Sequence, residues 1–225
     1  MLMAMEPFSL VDYPGHIAAT IFFGGCNFRC GYCQNPALAN MSVEEKSLTS
    51  PSGILDFLQT RKGLLDGVCL TGGEPLLSRD MSPLAEKIKE HGFKVKLDTN
   101  GSNLERLKDA APYLDYIAMD IKASPDKYDA LTGCKNSWER VSETVDWIKQ
   151  GRIPFEFRTT VMPVWHTYED LTAIRELLGQ ETAWILQQFH HPPEGVLDGQ
   201  KYEAYPDSWL KEMGNRLNCQ VRGLR

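Results

Sequence analysis

Three cysteines, Cys26, Cys30 and Cys33, lie in one eight-residue stretch, Cys-Asn-Phe-Arg-Cys-Gly-Tyr-Cys. Three thiolates at this spacing can hold three irons of a four-iron cluster and leave the fourth iron open to a substrate. A cluster that only transfers electrons uses four cysteines, and a structural zinc site also needs four ligands. The triplet therefore predicts a reactive iron–sulfur centre. The alternative is a zinc site formed by these cysteines and a histidine.

Length and composition narrow the class of protein. A chain of 225 residues is long enough for one sizeable core, and we expect a single domain over residues 1–225. A net charge of −6 argues against a nucleic-acid partner, which would require a basic surface. No apolar run approaches the ~20 residues of a membrane span, and residues 1–7 do not resemble a signal peptide. We therefore expect a cytoplasmic protein without a membrane partner, whose clustered cysteines bind metal instead of forming disulfides.

Strand and helix signals alternate along the chain, which predicts parallel strands joined by helical crossovers. The predicted strands are 17–23, 67–71, 94–98, 116–122, 155–161 and 183–189. The predicted helices are 51–61, 82–91, 103–111, 137–150, 167–179 and 208–217, followed by a short segment, 219–222. Predicted helix caps are Ser50, Asn103 and Ser137, together with a capping box at Thr167 and Asp170.

Three successive strands carry charged side chains on one face, because residues two apart in a strand share a face. These polar faces contain Lys94, Lys96 and Asp98, then Asp120 and Lys122, then Glu156 and Arg158. A charge left buried and unpaired costs several kcal/mol, so this face needs water or a polar ligand. The pattern predicts an α/β fold, a curved and partly open TIM-like parallel barrel of six units, (β/α)6, with a wet interior. A flat sheet with one solvated face is the alternative.

The position of the cysteines relative to this fold is informative. They directly follow the first predicted strand, which places them at the C-terminal mouth of a parallel barrel, where active sites gather. Other conspicuous residues carry less weight. Cys69 is expected in the core, Cys134 and Cys219 as isolated thiols, and His190 with His191 as a solvated pair in a loop.

The cysteine spacing, with Tyr32 directly before the last cysteine, resembles the radical S-adenosylmethionine (SAM) superfamily. A Gly-Gly-Glu-Pro run at 72–75 follows the second predicted strand and is similar to the element of that sequence in the superfamily. The resemblance implies the partial barrel of the radical SAM type. It also implies two cofactors, a [4Fe–4S] cluster on Cys26, Cys30 and Cys33 and a molecule of SAM.

Within the superfamily the chain most resembles glycyl-radical-enzyme activating proteins, and more narrowly those of anaerobic ribonucleoside-triphosphate reductase. The similarity covers Ser-Leu-Val-Asp-Tyr-Pro-Gly at 9–15, the segment 22–36, Asp-Thr-Asn-Gly at 98–101 and Asp-Ile-Lys at 120–122. It is weaker after about residue 161. One departure is Gln34, where many relatives carry histidine.

The resemblance implies roles for particular residues. Cys26, Cys30 and Cys33 would ligate the cluster, and the Tyr32 backbone would meet the adenine of SAM. The implied cofactor contacts are Tyr32, Gly72, Gly73, Glu74, Asp98, Thr99, Asn100, Asp120, Lys122, Arg158 and Gln187. Glycines let a backbone approach a ligand closely, and in the superfamily this backbone receives the amino group of the methionine moiety.

Two of these residues, Asp120 and Lys122, are implied to be catalytic. Asp98 and Asp120 match carboxylates near the methionine end of SAM, which in some activating enzymes help to hold a monovalent cation. Lys122 matches a lysine near the cofactor or the glycyl loop, while Arg158 would reach a carboxylate or ribose and Gln187 a ribose. The alternative is an internal salt-bridge network that contacts no ligand.

The resemblance implies that the chain cleaves SAM reductively and abstracts a hydrogen atom from a glycine of a partner enzyme. The partner would be a glycyl radical enzyme, with anaerobic ribonucleoside-triphosphate reductase as the first choice and flavodoxin or ferredoxin as the electron donor. A second hypothesis is a radical enzyme for a small molecule, similar to 7-carboxy-7-deazaguanine synthase. A third is a zinc or iron–sulfur interaction module without catalysis.

Overall fold

The computed structural model describes residues 3–44 and 48–225. Within these ranges one sheet has eight strands that are hydrogen-bonded in chain order. The strands are β1 (Met3–Ser9), β2 (Ala18–Phe23), β3 (Gly67–Gly72), β4 (Lys94–Thr99), β5 (Tyr116–Asp120), β6 (Phe155–Val161), β7 (Trp184–Gln188) and β8 (Gln220–Arg222). Strands β2 to β8 are parallel and β1 is antiparallel to β2.

The six predicted strands correspond to β2 through β7, each within two residues of its predicted ends. The prediction missed both edge strands. β1 contains Glu6 and Pro7 and is exposed over three central residues, so its sequence lacks a buried-strand signal. β8 has only three residues, none of them buried. The predicted parallel α/β architecture is confirmed, but the sheet is wider by one strand at each edge.

Eight α-helices connect the strands in the described residues. They are α1 (Pro36–Ala39), α2 (Pro51–Gln59), α3 (Met81–Glu90), α4 (Leu104–Ala110), α5 (Tyr128–Thr132), α6 (Ser137–Gln150), α7 (Tyr168–Leu178) and α8 (Asp207–Arg216). Two 3-10 turns, Pro75–Leu77 and Ala111–Tyr113, complete the helical segments. None of the described helices combines the length and the apolar character that a bilayer crossing requires.

The predicted caps are confirmed except at α6. The side chains of Ser50 and Asn103 accept backbone hydrogen bonds, and Thr167 forms a capping box. Ser137 was expected to be the N-cap of α6, but it is the first helical residue, and Asn136 takes the cap position in the left-handed region without a side-chain bond. The carboxylate of Asp129 accepts from both backbone N–H groups, at 2.7 and 2.8 Å, and so replaces the missing cap.

The two faces of the central strands differ as their alternation predicts. Val95 and Leu97 of β4 and Ile117 of β5 are buried in the hydrophobic core that the helices cover. Lys96, which alternates with them, forms ion-paired contacts on the other face. Charged side chains of β4, β5 and β6 therefore meet inside the curve of the sheet.

The segment between β1 and β2 closes the barrel at the N-terminal ends of the strands. Tyr13 is buried there, and its ring lies edge-on to His16 and tilted against Tyr116 at the start of β5. Asp12 accepts a hydrogen bond of 2.7 Å from the Thr20 hydroxyl. The Asp-Tyr-Pro-Gly motif therefore covers the end of the barrel that is opposite to the cysteine loop.

Candidate active site

A cavity of about 400 Å³ lies at the C-terminal ends of the strands. Its walls come from the loops after β2 and β3 and from the inner faces of β4 to β8. The predicted site residues that line it are Cys26, Cys30, Tyr32, Cys33, Gly72, Gly73, Asp98, Thr99, Asn100, Asp120, Lys122, Arg158 and Gln187. The structure thus brings together residues that are up to 161 positions apart in the chain, from Cys26 to Gln187.

The cysteine loop has a defined backbone. Cys33 donates its N–H to the Cys30 carbonyl at 3.0 Å. Two donors lie near the Cys26 sulfur, the Phe28 N–H at 3.4 Å and the Asn100 side-chain amide at 3.9 Å. Donors that point at a sulfur favour its thiolate form, which is the form that ligates iron.

Burial raises the pKa of the Cys30 thiol to about 12 and raises the pKa of Cys26 as well. The charge of Lys122 acts against this rise in both thiols, which places its ammonium group near the loop. Free thiols with raised pKa values are protonated at neutral pH. Iron must therefore displace these protons when it binds.

The thiols fit a cluster better than a single ion. In the described part of the chain, no three His, Cys, Asp or Glu side chains converge as ligands of one metal. A zinc ion requires such convergence, with sulfur about 2.3 Å from the metal. A four-iron cluster does not, because each cysteine ligates a different iron. Three thiols that open onto one cavity, with a polar wall opposite, match the second arrangement.

Gly73 packs against the start of the cysteine loop so closely that a side chain would not fit. A Cβ at Gly73 would overlap the Gly25 carbonyl, and one at Gly72 would overlap the Phe23 backbone. The Gly73 N–H donates to the Phe23 carbonyl at 2.9 Å, and the next N–H donates to the Gly25 carbonyl at 2.8 Å. The two loops are therefore joined by backbone hydrogen bonds at a distance that only glycine allows.

Glu74 is the one predicted cofactor contact whose side chain lies outside the cavity. It is 1% exposed, beneath the loops. Its carboxylate accepts from the Asn100 N–H at 2.7 Å, the Thr99 hydroxyl at 2.8 Å and the Leu76 N–H at 3.1 Å. Burial raises the pKa of this carboxyl to about 7, against the effect of these donors. Glu74 thus positions the backbone of β4's end, which does line the cavity.

The opposite wall carries a charge ladder formed by Lys96, Asp98, Arg158, Asp120 and Lys122, all of which except Lys96 line the cavity. Lys96 pairs with Asp98, and the Arg158 guanidinium bridges Asp98 at 3.1 Å and Asp120 at 3.0 Å. Lys122 pairs with Asp120 at 2.7 Å. Burial alone would raise the pKa of Asp120, but the charges of Lys122 and Arg158 hold it at about 2.

Both backbone polar groups of Lys122, its N–H and its carbonyl, are hydrogen-bonded to side chains. The Tyr128 hydroxyl accepts its N–H at 3.3 Å, and His166 Nε2 lies 2.9 Å from its carbonyl. His166 Nδ1 accepts the Met162 N–H at 3.2 Å, so Nε2 carries the proton and donates. Burial lowers the pKa of His166 to about 4, which keeps the ring neutral.

The cavity also contains residues that sequence reasoning did not assign to the site, and His190 and Arg222 are the ionisable ones among them. Arg222 of β8 lines the wall and donates two bonds of 2.7 Å to Glu156. His190 was expected in a solvated loop pair, but it also lines the cavity, and its Nε2 lies 2.6 Å from the Gly223 carbonyl. Gln34 donates to the His190 carbonyl at 2.6 Å and so ties the cysteine loop to the segment after β7. No sequence motif marks His190 or Arg222.

Residues 20–178 match the Radical SAM superfamily. The chain belongs to this superfamily. It is accordingly a radical SAM enzyme, and its cofactors are a [4Fe–4S] cluster and SAM.

This radical SAM enzyme is similar to curated proteins with different names. Protein MJ1227 of Methanocaldococcus jannaschii, named as a glycyl-radical enzyme activating enzyme, is 31% identical over 218 residues, 92% of this chain and 87% of that protein. The pyruvate formate-lyase-activating enzyme of Clostridium pasteurianum is 35% identical over 58% of this chain and 56% of its own length. The 7-carboxy-7-deazaguanine synthase of Methanopyrus kandleri is 34% identical over 59% of this chain and 61% of its own length.

A solved structure shares the fold of this radical SAM enzyme. SuiB of Streptococcus suis, bound to its precursor peptide SuiA, superposes with a TM-score of 0.71 at 14% identity. The match covers 89% of this chain, which spans about half, 47%, of SuiB. At this identity the likeness concerns the fold alone.

Proposed function

We propose that this radical SAM enzyme generates a glycyl radical in a partner protein, with anaerobic ribonucleoside-triphosphate reductase as the partner. Cys26, Cys30 and Cys33 would hold the cluster, which when reduced would supply the one electron needed to split SAM into methionine and a 5′-deoxyadenosyl radical. That radical would take a hydrogen atom from a glycine α-carbon. The products are then 5′-deoxyadenosine and the glycyl radical. Flavodoxin or ferredoxin is the proposed source of the electron.

The volume of the cavity is the observation that carries the choice of a protein substrate. Pockets for a single ligand of drug size measure about 300–1,000 Å³. A cavity of about 400 Å³ lies near the lower end of this range, and we assign its space to SAM. The second substrate must then approach from outside, as a chain segment at the open mouth can do. The names of two similar proteins, which are activating enzymes, support the same choice.

The residues on the cavity wall have proposed tasks that follow from their chemistry. Cys26, Cys30 and Cys33 would ligate the cluster, and the backbone at 72–73 would receive the amino group of SAM. The ladder carries three cationic groups and two carboxylates, so its net charge is +1. This excess of positive charge favours binding of the carboxylate of the methionine moiety. Lys122 lies at the end of the ladder that is near the thiols.

The test is an oxygen-free assay with reconstituted enzyme, reductant, SAM and the reductase. We expect 5′-deoxyadenosine and a glycyl radical signal by electron paramagnetic resonance (EPR), and no radical when the acceptor glycine of the partner is replaced by alanine. Cys30→Ala should abolish both products, whereas Cys219→Ala, outside the cavity, should retain them. Intact cluster with neither product would contradict the proposal.

A second candidate function is supported by the similarity to 7-carboxy-7-deazaguanine synthase, a small-molecule enzyme by name. It predicts that a small molecule alone stimulates SAM cleavage, without a partner protein. Metal analysis separates both enzymatic functions from a non-catalytic zinc module. About four irons with sulfide per chain support an enzyme, and one zinc without iron supports the module.

A further inference from the structure

All four carboxylate oxygens of Asp98 and Asp120 have a cationic partner within the protein. Lys96 Nζ contacts Asp98 Oδ1, and Arg158 Nη1 lies 3.1 Å from Asp98 Oδ2. Arg158 Nε lies 3.0 Å from Asp120 Oδ1, and Lys122 Nζ lies 2.7 Å from Asp120 Oδ2. The Arg158 guanidinium therefore occupies the space between the two carboxylates and bonds to both.

These two carboxylates are the ones that the family resemblance assigns to a monovalent cation, and their surroundings do not fit that ion. A hard cation needs several oxygen ligands, and here every carboxylate oxygen already accepts a hydrogen bond from an ammonium or guanidinium group. The surrounding ladder also carries a net charge of +1, which repels a further positive charge.

The placement of Arg158 follows from the sheet register. Asp120 and Arg158 are paired residues of β5 and β6, so they are adjacent on the inner face. Asp98 pairs with Ala118, whose small side chain leaves the path from β6 to β4 open. Arginine suits this bridge because its planar guanidinium stays charged and presents donors along more than one edge. The Arg158 side chain is 13% exposed, which leaves little water to weaken the bridge.

We propose that Arg158 is the resident cation of this site and that the enzyme binds no monovalent cation between Asp98 and Asp120. The inference concerns the SAM end of the cavity and holds whichever substrate receives the radical. It assigns to Arg158 the task of holding two carboxylates of adjacent strands at a fixed separation. The ladder then offers its remaining positive charge to an anionic group.

The direct test uses Tl⁺ as a stand-in for K⁺. Crystals of the oxygen-free holoprotein soaked in thallous acetate should show no anomalous peak between Asp98 and Asp120. A peak within ligand distance of both carboxylates would overturn the proposal. This readout requires neither turnover nor a partner, so it remains decisive even if the proposed activation of a glycyl radical enzyme fails.

A solution test compares SAM binding by equilibrium dialysis in sodium, potassium and tetramethylammonium buffers of equal ionic strength. We expect dissociation constants that agree within threefold. A larger loss of affinity in tetramethylammonium would contradict the proposal. If SAM does not bind in any buffer, the proposed function fails, and the thallium experiment still decides the cation.

A third test replaces Arg158 itself, because losing its charge should create a requirement for a bound cation that the wild type lacks. Arg158→Gln exposes one oxygen of each aspartate and removes a positive charge, so its thermal midpoint should rise with KCl more than with choline chloride. Arg158→Lys keeps the charge and should show no difference between the salts. Arg216→Gln, which breaks an exposed pair with Glu212, is the matched control. A wild type that responds to KCl as Arg158→Gln does would contradict the proposal, as would a Gln variant indifferent to KCl.

Discussion

The two walls of the cavity are held by different interactions. On the thiol wall, Gly73 and Gly25 touch through backbone atoms, and buried Glu74 fixes the neighbouring loop. On the ladder wall, Arg158 of β6 holds Asp120 of the adjacent β5 and Asp98 of β4 by paired charges. The thiol wall requires that Gly73 has no side chain, and the ladder wall requires that its charged side chains remain paired. A change of volume should therefore damage the thiol wall, and a change of charge the ladder wall.

The largest effect is expected from Asp98→Asn. The substitution keeps the shape of the side chain but leaves Lys96, which is 2% exposed, without its carboxylate. Breaking a buried pair in this way costs about 3–5 kcal/mol, because one charge stays buried and uncompensated. Glu105→Gln, in an exposed pair with Lys108, should cost less than about 1 kcal/mol. Urea unfolding measures both.

The double variant Lys96→Met/Asp98→Asn sharpens this prediction. If the cost arises from the unpaired ammonium, removing both charges should recover part of the lost stability. A double variant that is no more stable than Asp98→Asn would show that the carboxylate matters for another reason.

The two walls should also respond to pH with opposite signs. His166 supports the ladder wall, and its pKa in the folded protein is lowered to about 4 by burial. Between pH 4 and its ordinary value of about 6.5, the unfolded chain binds more protons than the folded protein. The stability contributed by neutral His166 is therefore present above this window and lost as the pH falls through it, by up to roughly 3 kcal/mol.

Glu74, under the thiol wall, behaves in the reverse way. Its pKa in the folded protein is raised to about 7, so the folded protein binds more protons than the unfolded chain above pH ~4.5. Its contribution is present at low pH and lost as the pH rises toward 7. His166→Gln should unmask a fall in stability with rising pH, and Glu74→Gln a rise. Thermal midpoints between pH 5 and 7 measure the slopes, and slopes of equal sign would contradict the assignment.

A smaller effect is expected from Gly73→Ala, which adds one methyl group against the Gly25 carbonyl. Overpacking of this kind costs about 1–3 kcal/mol. Because the shift falls on the cysteine loop, iron content after reconstitution should also decrease. Gly92→Ala is the control. Its Cβ would meet nothing within 4 Å, so the only cost is the backbone strain of a φ of +90°. Equal iron content in the two variants would argue against a steric role for Gly73.

The inner strands could be predicted because their signals are local. In β4, Lys96 and Asp98 alternate with Val95 and Leu97. This alternation predicts a strand and also shows which residues share each face. The cysteine triplet and the Gly-Gly-Glu-Pro run are likewise local, because the residues of each motif lie within a few positions of one another. Their meeting in one cavity follows from the parallel order of β2 and β3.

The remaining features depend on distant contacts that leave no local pattern. Arg222 belongs to a three-residue strand, and only its pairing with β7 brings it to Glu156. His190 enters the cavity because Gly223 and Gln34 hold it there. Glu74 shows the opposite case. Its motif predicts a cofactor contact, but its side chain lies outside the cavity and accepts the backbone N–H of Asn100.

The central claim is that Cys26, Cys30 and Cys33 leave one iron of a four-iron cluster free to bind SAM. Mössbauer spectroscopy of ⁵⁷Fe-reconstituted, oxygen-free protein tests it most directly. One iron in about four should differ from the others and change its isomer shift when SAM is added. Four equivalent irons that do not respond to SAM would contradict the account.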